Sequence, residues 1–330
     1  MDAYYFGITA FVVISGVEKG IEKYSRIPMP ILVVLVIIIS GFSLTLKHTD
    51  EYGVVRTGID GLMVYLIPSI EGMSVKDILV VIMDAVGQLF FSISVAMGIM
   101  IAYGSYAKKE TNLMKSINQI EIFDTSIALL AGLMIVPAVF AFMGREGMSA
   151  GPGLIFVSLP KVFNAMGFAG NIMGPVFFLI VSFAAVTSSV SVMEAIVSSI
   201  MDAFKISRLK ASIIVTVYTL MAGVIVCMGY NLLYFEVTLP NGSVAQILDI
   251  MDYISNNLMM PLVAFSESIL IGWVVGPKLI IDEVTGEAYN ILPVKFGRKK
   301  LFIVMIKYVV PVMLFILLLS SLGALDFILK

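Results

Sequence analysis

The sequence predicts an all-α polytopic membrane protein with about eight transmembrane helices, at least one of them broken. Its 330 residues are 59% hydrophobic and 13% charged, and the mean hydropathy is +1.03. A soluble domain carries about 25% charged residues. Most of the apolar runs approach or exceed the ~20 residues that cross the hydrocarbon core of a bilayer. One run, residues 78–106, is interrupted by polar residues and glycines.

Eight apolar runs are predicted to span the membrane. The first is short, and the segment 170–201 is long enough to span with tilt. Residues 47–77 and 116–123 are predicted to be polar loops. The Gly/Pro-rich stretch 144–167 holds two apolar patches and is predicted to fold back as short helices. The predicted spans are 4–17, 30–46, 78–106, 125–143, 170–201, 211–228, 247–275 and 302–322.

The positions of Lys and Arg predict the orientation of the chain. Fifteen of the 21 basic residues lie in or beside alternate loops, within 19–26, 108–115, 205–210 and 278–307. Cytoplasmic loops carry the excess of Lys and Arg, so this side is predicted to be cytoplasmic. Eight spans then place both termini outside, and we expect an N-terminal contribution from a segment upstream or from a separate fragment.

The composition excludes several classes of function. The net charge of −2 argues against nucleic acid as a partner. The single histidine, His48, excludes a His-rich metal site and a Ser/His/Asp triad. No Gly-rich phosphate loop has the required spacing. We therefore expect a multi-pass protein of the cell membrane that is not an enzyme.

Residues 87–98 (GQLFFSISVAMG) interrupt the third apolar run with Gln88, Ser92, Ser94 and a glycine at each end. Hydrocarbon tolerates non-helical backbone only where protein covers it or where it lines a wet cavity. The pattern is typical of a broken helix whose freed ends bind a solute. The alternative is a kinked span whose hydroxyls bond back to their own helix.

A second polar cluster lies in the run 170–201. Ala184, Thr187 and Ser188 share one face of a helix. One carbonyl and two hydroxyls on that face supply oxygen ligands of the kind that hard cations prefer, and would form half of a Na⁺ site. The alternative is helix packing through Ser and Thr.

Carboxylates occur at or near membrane depth. Asp124 stands at the start of a predicted span, where it is either functional or the N-cap of a helix. Asp252 and Glu267 lie within the run 247–275. Asp202, close to Lys205 and Arg208, has the pattern of a solvated ion-pair face.

Four ordered motifs resemble the neurotransmitter:sodium symporter family, specifically its prokaryotic Na⁺-coupled amino-acid transporters. They are GIEKY at 20–24 with Pro30, GQLFFSISVAMG at 87–98 with YGSY at 103–106, GPGLIFVSLPKVF at 151–163, and AAVTSS at 184–189. The resemblance covers the family's fourth to eleventh spans, and the first three have no counterpart here. It implies the LeuT-type inverted-repeat fold with an incomplete first repeat. Residues 1–46 would be the remaining two helices of that repeat, 78–275 the second repeat, and 302–322 an additional peripheral helix.

The resemblance implies two sodium sites. Ser92 and Asp124 would bind one ion, and Ala184, Thr187 and Ser188 the other. A carboxylate at Asp124 would supply the negative charge that other members obtain from chloride, so chloride independence is expected.

The resemblance also implies residues for the substrate and for gating. Methionine is flexible and fills irregular space, so Met97 favours large hydrophobic substrates. Ala96 replaces a glycine of the family motif and is expected to stiffen the turn. The substrate side chain would contact Phe91, Ser94, Met97, Ser188 and Val192, and the gating residues would be Phe90, Tyr106, Asp202 and Asp252.

The expected function is Na⁺-coupled symport of a hydrophobic or aromatic amino acid by alternating access, in a truncated or partial transporter. Its expected partners are the amino acid, the lipid bilayer and a separate N-terminal fragment that supplies the missing spans. The alternative is a non-transporting membrane remnant, or an interaction protein, that cannot couple ions alone.

Overall fold

The computed structural model describes residues 2–16, 21, 23, 26–49, 53–70, 72–148, 154–240, 243–286 and 296–324. Parts of the motif at 20–24 and the first three residues of the motif at 151–163 therefore lie outside the described residues.

The described residues are mainly helical, and short helical turns occur at Arg145–Gly147 and Leu154–Ser158. The helices are α1 (Asp2–Ile14), α2 (Pro28–Thr45), α3 (Gly58–Leu66), α4 (Val75–Ser92), α5 (Ile99–Tyr106), α6 (Leu113–Met143), α7 (Leu159–Ala165), α8 (Phe168–Phe204), α9 (Arg208–Met228), α10 (Ile247–Val275), α11 (Pro277–Thr285) and α12 (Lys299–Ser321).

The prediction of a helical multi-span protein is confirmed. In the described part of the chain, six helices are long and apolar enough to cross a membrane, namely α2, α6, α8, α9, α10 and α12. Each of the eight predicted spans contains at least one helix. The stretch 144–167 forms short helices, as expected, over its described residues. The assignment of the spans to two repeats stays a prediction.

Residues 47–77 differ from the predicted polar loop. Strands β1 (Lys47–Thr49) and β2 (Val55–Thr57) pair antiparallel, with His48 opposite Arg56. Helix α3 follows at once, because Thr57 and Asp60 form a capping box in which each side chain bonds the other residue's backbone N–H. This local capping chemistry was overlooked at the sequence level, and it turns the segment into ordered structure.

The predicted loop 116–123 is also wrong. Helix α6 begins at Leu113, where the Asn112 side chain accepts a hydrogen bond of 2.9 Å from the Lys115 N–H. An Asn in this position caps a helix well. The polar residues that follow therefore form the first turns of α6.

The residues divide into two compact units, the first made of Met1–Ala10, Gly72–Glu121 and Ser191–Lys330, and the second of Phe11–Glu71 and Ile122–Val190. In the second unit, α3 packs closely on α6, since a Cβ at Gly61 would lie 2.6 Å from Pro137 Cα. Burial raises the pKa of the Tyr65 phenol, whose hydroxyl donates to the Leu129 carbonyl at 3.4 Å.

The core of the second unit is aliphatic and aromatic. Phe177 packs against both Phe163 and Phe178, with ring centroids 5.6 and 5.4 Å apart. Such tilted and edge-on pairs add to the free energy gained by burying apolar area. They fix α7 against the first half of α8.

The first unit is organised around α10 and α12. Phe265 and Phe315 lie 5.9 Å apart between the two helices. The Tyr253 hydroxyl, near the start of α10, donates to the carbonyl of Ser321, the last residue of α12. Helix α4 contacts α12, where a Cβ on Gly87 would meet the Leu317 side chain at 3.6 Å.

The third span is broken. Helix α4 ends at Ser92 and α5 begins at Ile99, and within the break Ser94, Ala96 and Gly98 have φ angles of 53°, 61° and 76°. These are left-handed conformations that L-residues avoid. The kinked-span alternative is therefore wrong, and the predicted interruption of the helix is confirmed.

Substitutions at Gly98 and Ala96 are expected to have opposite effects on stability. Gly98→Ala places a Cβ at φ 76° in open space, so its cost is the left-handed backbone alone, about 1–2 kcal/mol. Ala96→Gly removes such strain at φ 61° and is expected to stabilise the fold by up to ~1 kcal/mol. Thermal unfolding in detergent measures both.

Gly104→Ala is the matched control. Gly104 lies inside α5 with nothing within 4 Å of its added Cβ and no left-handed φ. Alanine is expected to stabilise this helix position slightly. If Gly98→Ala were as stable as the parent chain, the left-handed turn would be wrong.

Candidate functional site

The Ser/Thr segment of α8 places two of the proposed sodium ligands together. Thr187 Oγ1 lies 2.9 Å from the Ala184 carbonyl oxygen and 3.1 Å from that of Phe183, and donates its proton to them. Ser188 is the next residue and is exposed within its unit. A donating hydroxyl keeps oxygen lone pairs that accept, so the donor set on this face is one that a hard cation prefers.

Neighbouring hydroxyls, like that of Thr187, bond to carbonyls of α8 itself. Ser182 and Ser189 donate to carbonyls of their own helix, at 2.8 and 2.9 Å. Such bonds satisfy hydroxyls without a partner from another element. Within this segment, Ala184, Thr187 and Ser188 are therefore distinguished by their shared face rather than by their hydrogen-bond pattern.

Asp124 lies inside a helix. It is the twelfth residue of α6, partly buried, and the helix begins at Leu113. The N-cap alternative is therefore wrong, and capping falls to Asn112. An ionisable residue in the interior of a spanning helix is a functional hypothesis by default.

Four predicted residues lie at the break or directly before it. Phe91 and Ser92 are the last residues of α4, and both are exposed within their unit, whereas Ser94 and Met97 lie in the break. The Phe90 carbonyl accepts the Val95 N–H at 3.0 Å. Ser94 and Met97 therefore leave the backbone where no regular helix constrains it.

Met97 is fixed by packing. It contacts a small buried cluster formed by Ile99, Ala102 and Ala195. This cluster joins the start of α5 to the second half of α8. Val192, one turn before Ala195, is 43% exposed within the same unit.

The remaining predicted gating residues lie near helix ends. Asp202 is exposed two residues before the end of α8. Asp252 is exposed in the second turn of α10, and its carboxylate accepts a hydrogen bond from the Asn256 amide. Tyr106, the last residue of α5, makes a contact that the sequence did not predict.

Glu194 is the residue that sequence reasoning missed. Its side chain is completely buried, and both carboxylate oxygens bind Arg208, at 2.7 and 2.8 Å. The Tyr106 hydroxyl donates to the same carboxylate at 2.7 Å. The signal was available, because Glu194 is the one charged residue in the apolar run 170–201.

This arrangement ties the short helix α5 to α8 with polar contacts. Besides Tyr106 and Glu194, the hydroxyls of Tyr103 and Ser191 lie 2.9 Å apart. A buried carboxylate is costly unless it is paired and fully hydrogen-bonded. Arg208 at the start of α9 supplies that pairing, so three helices meet at one carboxylate.

Comparison with known proteins identifies the family to which the chain is related. A model described as the sodium:neurotransmitter symporter family matches residues 3–327. An uncharacterized sodium-dependent transporter of Bacillus subtilis is 31% identical over 98% of this chain and 66% of its own length. An uncharacterized sodium-dependent transporter of Methanocaldococcus jannaschii is 31% identical over 84% of this chain and 53% of its own length.

A solved structure shares the fold. The crystal structure of MhsT in complex with L-phenylalanine is 32% identical, with a TM-score of 0.79 over 97% of this chain and 67% of that one. The chain thus spans between about half and two thirds of the length of the curated relatives described above. The match from residue 3 to residue 327 settles the relationship: this multi-pass membrane protein belongs to the sodium:neurotransmitter symporter family.

Proposed function

We propose that the protein takes part in Na⁺-coupled symport of a hydrophobic or aromatic amino acid by alternating access. The observation that carries the proposal is the break at 93–98, where left-handed backbone interrupts a membrane span in a member of a symporter family. A broken helix at membrane depth is the usual place for a solute site in such folds. The similar protein MhsT was crystallised with L-phenylalanine, which supports the substrate class.

The proposed ion sites use oxygen donors alone. Ala184, Thr187 and Ser188 would bind one Na⁺ from a single helix face, on which the Thr187 hydroxyl and Ala184 carbonyl oxygens lie 2.9 Å apart. Ser92 and Asp124 would contribute to the other. Because Asp124 carries its own negative charge, we propose that chloride is not required.

The proposed substrate contacts follow the break. Phe91 and Ser94 would contact the amino-acid side chain together with Met97, Ser188 and Val192. Met97 is an unbranched side chain packed on small residues such as Ala102 and Ala195. An unbranched thioether adapts to bulky apolar groups, which supports a large hydrophobic substrate.

Binding of tritiated amino acids to the purified chain tests the function. Leucine, phenylalanine and tryptophan would be offered in Na⁺ or in K⁺, with the chain alone and with the first three spans of a bacterial relative supplied separately. Na⁺-dependent binding in either preparation supports the proposal. Its absence in both would favour the alternative, a non-transporting or interaction protein.

Substitution of the proposed ion ligands is expected to weaken Na⁺ dependence. Thr187→Ala removes a ligand oxygen, and we expect the half-saturating Na⁺ concentration for substrate binding to rise roughly tenfold, which corresponds to about 1.4 kcal/mol. Ser182→Ala is the matched control. The Ser182 hydroxyl donates to the Phe178 carbonyl of its own helix, and its loss should leave the half-saturating Na⁺ concentration unchanged. Equal Na⁺ curves for Thr187→Ala and the parent chain would refute the ligand assignment.

A substitution that removes the charge of Asp124 tests its proposed role in chloride independence. The parent chain should bind substrate equally well in chloride and in gluconate. Asp124→Asn removes the negative charge, and binding should then both weaken and become stimulated by chloride. Chloride stimulation already present in the parent chain would contradict this role.

We propose that Tyr106 serves the inner gate through Glu194. Its hydroxyl bond of 2.7 Å links the end of α5 to α8, so movement of α5 would have to break it. Tyr106→Phe is expected to lower the free energy of unfolding by about 1 kcal/mol, since one hydrogen bond is lost and one carboxylate oxygen keeps only its Arg208 contact.

Tyr218→Phe on α9 is the control, because that ring is 69% exposed and its substitution should be neutral. Glu194→Gln is expected to cost more, about 3 kcal/mol, since it removes the buried carboxylate charge that both Arg208 and Tyr106 bind. Thermal unfolding measures the stability of the three variants relative to the parent chain. A neutral Glu194→Gln would overturn the idea that this carboxylate anchors α5.

A further inference from the structure

A cluster of aromatic and basic side chains lies where the last turns of α10 pack against the first half of α12. Trp273 Nε1 donates to the Lys307 carbonyl at 3.0 Å. The Lys307 ammonium lies 5.7 Å from the centroid of the same indole ring. The Tyr308 ring meets Trp273 edge-on at 5.6 Å.

The cluster is built by an unusually close approach of two irregular helical segments. Leu270–Val275 and Met305–Val309 both have widened, π-type turns. A Cβ on Gly272 would lie 2.9 Å from the Ile306 carbonyl oxygen, so glycine is needed for the approach. Widened turns of this kind are frequent at functional sites.

The aromatic rings of this cluster are open to their surroundings. Trp273 is 56% exposed and Tyr308 is 55% exposed, and both belong to helices apolar enough to span a membrane. Exposed surface on such a helix near its end meets lipid at the level of the headgroups. Trp and Tyr are enriched at that level, because their rings are apolar and their N–H or O–H groups are polar.

The side chains near Trp273 and Tyr308 include several lysines. Lys307 is partly buried and forms no ion pair with a carboxylate of the described residues. Lys300 lies two helical turns earlier on the same face of α12, about 10 Å along the axis, and is exposed, as are Lys299 and Lys278. Lysines near helix ends extend toward the interface, so this column of ammonium groups points to the membrane surface.

We propose that Trp273, Lys307 and Tyr308, with Lys300, form a binding site for an anionic phospholipid of the cytoplasmic leaflet. The headgroup phosphate binds the ammonium groups of Lys307 and Lys300. The first carbons of an acyl chain pack on the exposed faces of Trp273 and Tyr308. The aromatic ring holds the Lys307 ammonium by a cation–π contact, so the cation is already positioned before the lipid arrives.

Trp273 is the single tryptophan of the chain, so its fluorescence reports this site directly. The full chain would be reconstituted in bilayers of phosphatidylcholine and phosphatidylglycerol, with bromine near the headgroup end of the acyl chains of one or the other lipid. Bromine quenches an indole that it contacts. Brominated phosphatidylglycerol is expected to quench more than brominated phosphatidylcholine at the same mole fraction, with a relative affinity of roughly fivefold for each lysine engaged.

Lys307→Gln should lower the preference for phosphatidylglycerol over phosphatidylcholine by roughly fivefold, to the level that Lys300 alone sustains. Lys307→Arg should retain the full preference, because the charge is kept. Lys210→Gln, an exposed lysine at the start of α9, is the matched control and should leave the preference unchanged. Equal quenching by the two lipids in the parent chain, or a preference that Lys307→Gln leaves undiminished, would overturn the proposal. Trp273 fluorescence quenched by neither lipid would show that a protein segment covers the site. None of these outcomes depends on Na⁺ or on transport.

Discussion

A helix interrupted inside a bilayer must find partners for the backbone groups that the interruption frees, since hydrocarbon offers none. Here the end of α4 folds back on itself. The N–H groups of Ile93, Ser94 and Val95 bond carbonyls of the last turn, at 3.0 to 3.2 Å. On the other side, the Ala102 N–H bonds the Gly98 carbonyl at 2.9 Å. The left-handed residues of the break make this compact turn geometrically accessible.

The short helix after the break then needs support from outside itself. An eight-residue helix is marginal alone, because nucleation is costly and few bonds follow. Helix α5 obtains that support from α8, through the Ile99–Ala195 cluster and through the hydroxyls of Tyr103 and Tyr106. Arg208 neutralises the carboxylate on which Tyr106 depends. The helix that follows the break is therefore supported by an ion pair between α8 and α9, which is distant from it in sequence.

Much of this was readable from the residues. Apolar length predicted the six long helices that the described residues contain, and the glycines around Ser92 and Ser94 predicted the break, because hydropathy and backbone freedom are local properties. Helix α3 was missed because the Thr57–Asp60 capping box was not recognised among turn residues. The start of α6 differs from the prediction because the polar residues 116–123 continue a helix that Asn112 caps. Glu194 was missed although its charge stood out, since its partners Tyr106 and Arg208 are distant in sequence and only packing brings them together.

Ala96 shows how local strain bears on the proposed mechanism. A non-glycine residue at φ 61° stores about 1–2 kcal/mol unless the surrounding structure compensates for it. Coupling between two ligands amounts to about 1–3 kcal/mol, and a ligand shifts a conformational equilibrium only by its differential affinity for the two states. The strain expected at Ala96 and Ser94 is therefore of the same order as a typical coupling free energy between two ligands. If the ion and the substrate bind at Ser92 and Ser94 as proposed, relief of this strain in one conformational state would add to the free energy by which the ligands favour that state.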